Sequence, residues 1–231
     1  MRNLRLPRFE PVRSPSVTDQ VFGSLYSDVV TLTLPPGAKL SEADVARQFG
    51  VSRQPVRDAF YRLSQLGFLV VRPQRATTVS PISEAAVLQA RFIRTAIEIE
   101  TARVAAERLS DAQLAELDDL IAEQARAVAA RDRIVFHGLD DDFHRRICEM
   151  AGLDFAWTLI RDTKAQMDRV RFLSLAVGAE SVLHEHKAIL AALRAHDAAA
   201  AIERVREHLS QIQGILARLR LSDPQYFADA D

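Results

Sequence analysis

The stretch that decides the fold, residues 34–80, reads LPPGAKLSEADVARQFGVSRQPVRDAFYRLSQLGFLVVRPQRATTVS. Ser41 can cap a helix, with Asp44 three residues later in a pattern similar to a capping box, and this helix ends at Gly50. Ser52 can cap the next helix, with Pro55 in its first turn, where a missing N–H costs nothing. A helix, a glycine-containing turn and a second helix together predict a helix-turn-helix.

The segments on either side of this helix pair complete the N-terminal half. Two short apolar runs, 68–72 and 77–80, are separated by Pro-Gln-Arg-Ala and predict a two-stranded hairpin, or wing. Upstream, Val21, Leu25 and Val29 share one face and predict a helix over residues 16–30. Residues 31–37, TLTLPPG, predict an extended segment closed by a Pro-Pro-Gly turn.

The second half of the chain has an almost uninterrupted helical pattern, rich in Ala, Leu, Glu and Arg. It predicts six helices, over residues 82–108, 111–131, 133–151, 154–176, 180–196 and 198–221. Gly178 marks the break between the fourth and the fifth of them. Short loops between long helices favour antiparallel neighbours, so we expect a mostly α-helical protein with a C-terminal all-α bundle.

Composition and length exclude several classes of protein. The 231 residues are 48% hydrophobic and 26% charged, which excludes a disordered or fibrous chain. No window approaches 18 uninterrupted apolar residues, and Arg and Pro stand where a signal peptide would be apolar, so we expect a soluble, cytoplasmic protein without a membrane partner. The one cysteine, Cys148, excludes an intrachain disulfide and a Cys-x-x-Cys zinc site.

Charge is distributed unevenly along the chain. Residues 1–80 carry a net charge of +5, and residues 81–231 carry −6. Together with the helical patterns, this predicts an N-terminal arm (1–15), a winged helix-turn-helix (16–80), an all-α domain (81–222) and a C-terminal tail (223–231). A basic half can meet a polyanion such as nucleic acid, although many solvated surfaces are equally uneven.

The second helix of the predicted pair carries the residue types that read DNA. Arg53 and Arg57 lie four residues apart and project from one face, and Gln54 can pair with adenine or phosphate. Two arginines on a helix surface are, by themselves, equally consistent with a solvated face. The preceding capped helix, the wing and the net charge of +5 favour contact with DNA.

Four polar side chains fall on apolar stripes of the second half. Asp140 and His144 share a face with Phe136, Phe143 and Ile147, while His186 and His208 align with apolar residues of two other helices. A single histidine in such a place is usually a hydrogen-bonded core residue. One Asp and three His instead suit Zn²⁺, Ni²⁺ or Mn²⁺ with open coordination positions, and His137 is a further ligand or outer-sphere candidate.

Residues 34–80 resemble the winged-helix domain of the GntR family of bacterial transcription regulators, through Pro-Gly, Leu-Ser-Glu, Gly-Val-Ser-Arg, Pro-Val-Arg and Leu-x-x-x-Gly. The second half resembles the FCD effector domain of the FadR subfamily, most visibly in DDDFH (140–144) and EHKAIL (185–190). The second half is predicted to have six helices rather than seven, and in this it resembles the VanR-like branch of the subfamily. Where many members have an arginine and a wing glycine, this chain has Ala43 and Ala76.

The resemblance implies roles for individual residues. Ser52, Arg53, Gln54 and Arg57 would contact DNA, and Arg75 would contact it from the wing. Asp140, His144, His186 and His208 would converge on one divalent metal ion. Arg94 would lie over the metal cavity and hold an effector carboxylate, although an Arg-Glu pair at the spacing of Arg94 and Glu98 is as often a solvated surface pair.

These observations predict a ligand-responsive regulator: a homodimer that binds a palindromic, double-stranded DNA operator and responds to a small carboxylate. A metal-dependent hydrolase is the alternative, with Glu98 or Asp141 as general base. An architectural nucleic-acid protein without an effector is a third reading.

Overall fold

The computed structural model describes residues 15–72 and 76–228. Most of the predicted N-terminal arm and the last three residues of the tail therefore lie outside the described residues, as does Arg75. The N-terminal half consists of α1 (Val17–Val30), β1 (Lys39–Leu40), α2 (Glu42–Phe49), α3 (Arg53–Gln65), β2 (Leu69–Val70) and β3 (Thr77–Val79). The predicted first helix, the helix-turn-helix and the wing hairpin are confirmed.

Capping residues define the ends of these helices. The Ser16 hydroxyl accepts a hydrogen bond from the Asp19 N–H at the start of α1, and Ser41 accepts one from Asp44 at the start of α2. Gly50 ends α2 with a φ of 66°, in the left-handed region that glycine tolerates best. Ser52 occupies the N-cap position of α3, as predicted, but its side chain makes no capping hydrogen bond.

The prediction of an extended segment at 31–37 is wrong. The chain turns back on the end of α1, because the Thr31 hydroxyl and N–H both donate to the Ser27 carbonyl at 2.8 Å and the Leu34 N–H donates to that of Asp28. The strand lies further on, where β1 pairs antiparallel with β3. The wing is therefore a three-stranded sheet in the order β1-β3-β2.

Within the described residues, the C-terminal half contains six α-helices, as predicted, followed by a short 3-10 helix (Pro224–Tyr226). The α-helices are α4 (Glu84–Arg108), α5 (Asp111–Ala130), α6 (Arg133–Met150), α7 (Asp154–Thr163), α8 (Ala165–Arg194) and α9 (Ala198–Ser222). The predicted break at Gly178 is wrong, because α8 runs through it and the chain changes direction at Lys164 instead. Lys164 is buried and held by carboxylates on two helices, so tertiary contacts set this break.

Buried apolar residues of α4, α5, α6, α8 and α9 form one core in the bundle, and the winged helix has a core of its own. Ala165 and Phe172 of α8 pack into the winged-helix core, so the two halves are in contact. Cys148 lies in a small cluster with Trp157 of α7, where burial raises the pKa of its thiol to about 12. Within the described residues, no helix is both long and apolar enough to cross a membrane.

Candidate nucleic-acid interface and metal centre

The start of α3 presents polar side chains to solvent. Ser52, Arg53, Gln54 and Arg57 are all exposed, whereas four apolar residues of α3 are buried: Val56, Ala59, Phe60 and Leu63. The Arg57 guanidinium lies 3.3 Å from the Glu42 carboxylate. This end of the helix is therefore free to enter a groove of DNA, as the sequence predicts.

The four predicted metal ligands lie together inside the bundle. One potential ligand atom from each of Asp140, His144, His186 and His208 lies within 4.8 Å of the other three, and all four residues are buried. Helix α6 contributes the aspartate and His144, α8 contributes His186, and α9 contributes His208. Helical phase indicated that each residue faces inward, and the structure brings them to one point.

Each histidine of this cluster is oriented by a hydrogen bond on its outer side. The acceptors are Glu98 for His144 (2.7 Å), Gln124 for His186 (2.8 Å) and Glu185 for His208 (2.8 Å). Where these oxygens act as acceptors, the proton of each ring lies on Nδ1 and the Nε2 lone pair is free to bind a metal. Metal-binding histidines in proteins are oriented in this way.

Three inner atoms of the cluster are buried without a hydrogen bond in the described part of the chain, although His186 Nε2 and Asp140 Oδ1 lie 3.5 Å from each other. Among the described residues, nothing hydrogen-bonds to Nε2 of His144, Nε2 of His186 or Oδ1 of Asp140. Each such atom costs about 1–3 kcal/mol when it stays unsatisfied. A cation coordinated by these atoms would remove that cost, so the residues present fit a divalent metal ion.

The electrostatics of the cluster favour the same chemistry. Burial opposes the ionisation of Asp140, but contact with the Arg171 guanidinium outweighs it and holds the pKa of Asp140 well below its ordinary value. Burial also lowers the pKa of His186 and of His208 well below that of a free imidazole. His186 and His208 are therefore held as neutral imidazoles beside an ionised Asp140, and these are the forms that bind metals.

Arg94 is a buried residue and not part of a solvated surface pair. Its Nε donates to Glu98 at 2.6 Å and its Nη1 to the Met167 sulfur at 3.5 Å, while Nη2 has no partner among the described residues. Arg94 lines a cavity of about 560 Å³ between α8 and α9, and His208 lines the same cavity. Arg94 and His208 of the histidine cluster therefore border the same cavity.

The carboxylates that the hydrolase alternative requires are already engaged. Glu98 is bonded to both Arg94 and His144; burial opposes its ionisation, but these two neighbours hold its pKa below the ordinary range. Asp141 lies 2.7 Å from the Lys164 ammonium. Neither carboxylate is placed as a free general base.

Some residues of the site were not predicted. The sequence patterns did not predict Gln124, Arg171 or the hydrogen bond that Glu185 makes to the cluster. The sequence did contain a signal for Gln124, because this residue interrupts the apolar face of α5 that contains Leu117 and Ile121. His137 is not among the hydrogen-bonded partners of the cluster and lies edge-on to the Phe172 ring instead.

Two protein-family models match the chain. Residues 17–79 match the model described as bacterial regulatory proteins, gntR family, and residues 89–211 match the FCD domain. FCD domains commonly bind metal. The two matches occupy the two halves of the fold described above.

Similar proteins are regulators of transcription. The HTH-type transcriptional repressor RspR of Escherichia coli strain K12 is 35% identical over 92% of this chain and 94% of its own length. A probable D-xylose utilization operon transcriptional repressor of Paenarthrobacter nicotinovorans is 28% identical over 84% and 86%. The solved structure of E. coli McbR/YncC has a TM-score of 0.76 at 26% identity and covers 89% of this chain and 99% of that one. The two curated relatives are named as transcriptional repressors, and neither name supports the hydrolase alternative.

Proposed function

Since this chain belongs to the GntR family of bacterial regulatory proteins, carries an FCD domain and is a DNA-binding transcriptional regulator, we propose that a small organic acid bound at a metal centre controls its hold on DNA. We propose further that it acts as a repressor, as RspR and the D-xylose operon relative do.

The metal centre consists of Asp140, His144, His186 and His208 and holds one divalent ion, with Zn²⁺, Ni²⁺ and Mn²⁺ as the candidates. One observation carries this proposal: the outer hydrogen bonds of the three histidines leave their Nε2 atoms directed to the same buried point beside Asp140. Four protein ligands leave one or two coordination positions for an effector oxygen.

The effector is a small carboxylate. One of its oxygens completes the coordination of the metal, and Arg94 supplies the Nη2 N–H that has no partner in the described part of the chain. The cavity of about 560 Å³ has the size of ordinary small-molecule sites. A charge-assisted hydrogen bond from a guanidinium is the usual means of holding a carboxylate.

Ser52, Arg53, Gln54 and Arg57 contact the operator in the major groove, and Arg75 contacts it from the wing. Two copies of the chain bind a palindromic site as a homodimer, because a two-fold protein matches a two-fold operator. A bound effector changes operator affinity by favouring one arrangement of the bundle over another, and the operator changes effector affinity by the same factor.

Metal content tests the centre directly. His186→Ala is expected to lower both the bound metal per subunit, measured by elemental analysis, and the melting temperature, because a ligand that binds only the native state stabilises it. His184→Ala is the matched control, since His184 is exposed two residues away on the same helix. Equal metal in the His186→Ala and wild-type proteins would remove His186 from the ligand set.

A thermal-shift screen of organic acids against the metal-loaded protein tests the effector. Arg94→Ala is expected to abolish the shift that the best acid produces while metal content stays unchanged. Arg94→Lys keeps a positive charge beside Glu98 but removes the planar fork, so it separates lost recognition from lost stability. An acid that binds both variants as tightly as the wild type, measured by calorimetry, would contradict the role of Arg94.

A further inference from the structure

The first two turns of α8 bury four polar side chains that the proposed function does not use. Lys164, at the preceding break, and Gln166, Asp168 and Arg169 of the helix itself are all buried. Burying charged groups is costly unless each is paired, so such a cluster needs specific partners. Those partners lie in the winged helix on one side and near the metal centre on the other.

The contacts to the winged helix come from three of these residues. The Tyr26 hydroxyl of α1 donates to Asp168 at 2.5 Å, across a sequence separation of 142 residues. Gln166 donates to the Gly67 carbonyl at 2.8 Å, and Arg169 donates to the Ser80 carbonyl at 2.7 Å. The start of α8 is therefore hydrogen-bonded to the first helix, to the turn after α3 and to the end of the wing.

The contacts to the metal centre come from Lys164 and Arg171. The Lys164 ammonium lies 2.7 Å from one oxygen of Asp168 and 2.7 Å from Asp141. Asp141 directly follows the proposed ligand Asp140 on α6. Arg171 binds Asp140, and its Nη1 lies 3.8 Å from Asp141. A continuous chain of ion pairs and hydrogen bonds therefore runs from Asp140 to Tyr26.

We propose that Tyr26, Asp168 and Lys164 are positioning residues that report the occupancy of the metal centre to the DNA-binding half. This inference rests on the proposed metal centre. Asp140, Asp141 and Asp168 carry three negative charges against the two positive charges of Lys164 and Arg171, so these five residues have one net negative charge without a metal. A divalent ion at the centre reverses that sign, and the ion pairs must redistribute.

The direction of the redistribution follows from the contacts. When Asp140 shares its charge with a cation, it holds Arg171 less strongly. Arg171 then shifts toward Asp141, whose Oδ1 is buried and has no hydrogen-bond partner among the described residues. Asp141 in turn holds Lys164 less strongly, and Lys164 moves its bonding toward Asp168, where it competes with the Tyr26 hydroxyl. Occupancy of the centre thereby alters how α1 is held.

Tyr26→Phe tests the proposal because it removes only the hydroxyl. Tyr226→Phe is the matched control, since Tyr226 lies in the short helix near the C-terminus and takes no part in this chain of contacts. The measurement is hydrogen–deuterium exchange of the metal-depleted full-length protein, with and without added Zn²⁺, in peptides from α1, α6 and α9. Zinc binding is followed in parallel by calorimetry.

In the wild type and in Tyr226→Phe, zinc is expected to change exchange in α1 as well as in α6 and α9. In metal-free Tyr26→Phe, α1 is expected to exchange roughly 10-fold faster, as the loss of a hydrogen bond to a charged group implies. Zinc should still protect α6 and α9 of this variant but should no longer change α1. If the Tyr26–Asp168 hydrogen bond only held the two halves together, its loss would raise exchange in α1 without removing the response of α1 to zinc.

Two results would overturn the inference, and they differ in what else they affect. Normal zinc binding by Tyr26→Phe together with a wild-type response of α1 would refute the role of Tyr26 and leave the metal centre intact. Absence of calorimetric binding and of any zinc response in α6 and α9 of the wild type would refute the metal centre and this inference together.

Discussion

Arg57 forms an ion pair that contributes little to the stability of the protein and that a ligand could therefore replace. In the structure it pairs with Glu42 at 3.3 Å, but the Arg57 side chain is 61% exposed. Solvent screens such a pair, and exposed pairs contribute about 0–1 kcal/mol to stability. A DNA phosphate or a guanine edge can therefore replace Glu42 without a large loss.

Arg57→Ala is expected to weaken operator binding by about 1–3 kcal/mol if the side chain reads a base. The measurement is a gel-shift titration at fixed salt, on an operator selected with the wild-type protein from random-sequence DNA. Arg126→Ala changes an equally exposed arginine of α5 and should bind as the wild type does. Unchanged affinity of Arg57→Ala would exclude the contact, whereas a reduced salt dependence would assign it to a phosphate.

Gln124 is expected to affect metal affinity although it is not one of the proposed ligands. Its side-chain oxygen accepts the Nδ1 proton of His186, and its amide nitrogen donates to the Leu139 carbonyl at 3.0 Å. Gln124→Leu removes the acceptor that fixes the tautomer of His186, so metal affinity is expected to fall by about 10–100-fold. Competition with a chelating dye measures this loss, and a variant that binds metal as tightly as the wild type would show that Gln124 only fills the core.

Helical phase allows the sequence to predict which residues of the centre face inward, but not which residues bond to them. Asp140 and His144 lie one turn apart on an apolar stripe, so their direction was evident. Arg171 lies 31 residues from Asp140 in sequence, and only the packing of α8 against α6 brings the two together. Contacts of this kind depend on the relative position of helices, which periodicity does not contain.

At the scale of the element, α8 links the winged helix to the histidine cluster. Its 30 residues run from the contacts with the winged helix, past Arg171, to His186. Gly178 in its middle has helical backbone angles and open space where a Cβ would lie. Its packing against α5, α6 and α9 keeps the helix continuous through the glycine that predicted a break.

Gly178→Ala is accordingly expected to stabilise the protein by about 0.5–1 kcal/mol, because alanine loses less conformational freedom in a helix. Gly152→Ala is the contrasting variant: Gly152 has a φ of 76°, so the change should cost about 1–2 kcal/mol. Urea denaturation of the metal-free proteins measures both. Destabilisation by Gly178→Ala would mean that the glycine ends a helix after all.

The end of α7 and the start of α8 could not be predicted, for a physical reason. Lys164 has φ and ψ of −79° and −6°, close to helical values, neither Gly nor Pro stands beside it, and no side chain caps the start of α8. The change of direction arises because Lys164 turns inward to Asp141 and Asp168. By contrast, Ser110 and Asp132 cap α5 and α6 with their own side chains, and both starts were predicted.

At the scale of the whole molecule, large apolar side chains are exposed on two neighbouring helices of the bundle. Phe92 of α4 and Phe155 and Leu159 of α7 are large, apolar and exposed, and α4 packs against α7. The homodimer proposed above would cover these side chains with a second copy of the chain, because a two-fold protein matches a two-fold operator. We propose this α4–α7 face as the dimer interface.

Phe155→Glu is expected to convert the dimer into a monomer at micromolar concentration, because it places a charge in a desolvated contact. Val177→Glu adds the same charge at a site on α8 that is 96% exposed, and it should remain dimeric. Sedimentation equilibrium distinguishes the two species. A Phe155→Glu protein that still sediments as a dimer would place the interface elsewhere.

The buried thiol of Cys148 has a practical consequence for measuring motion in this protein. Burial raises the pKa of this thiol and shields it from solvent, so Cys148 is expected to react slowly with maleimides and methanethiosulfonates. A cysteine introduced at an exposed position such as Val17 or Val177 would react alone, without removal of Cys148. A pair of spin labels could be attached at two such positions. The distance between the labels would then report how the winged helix is placed relative to the bundle.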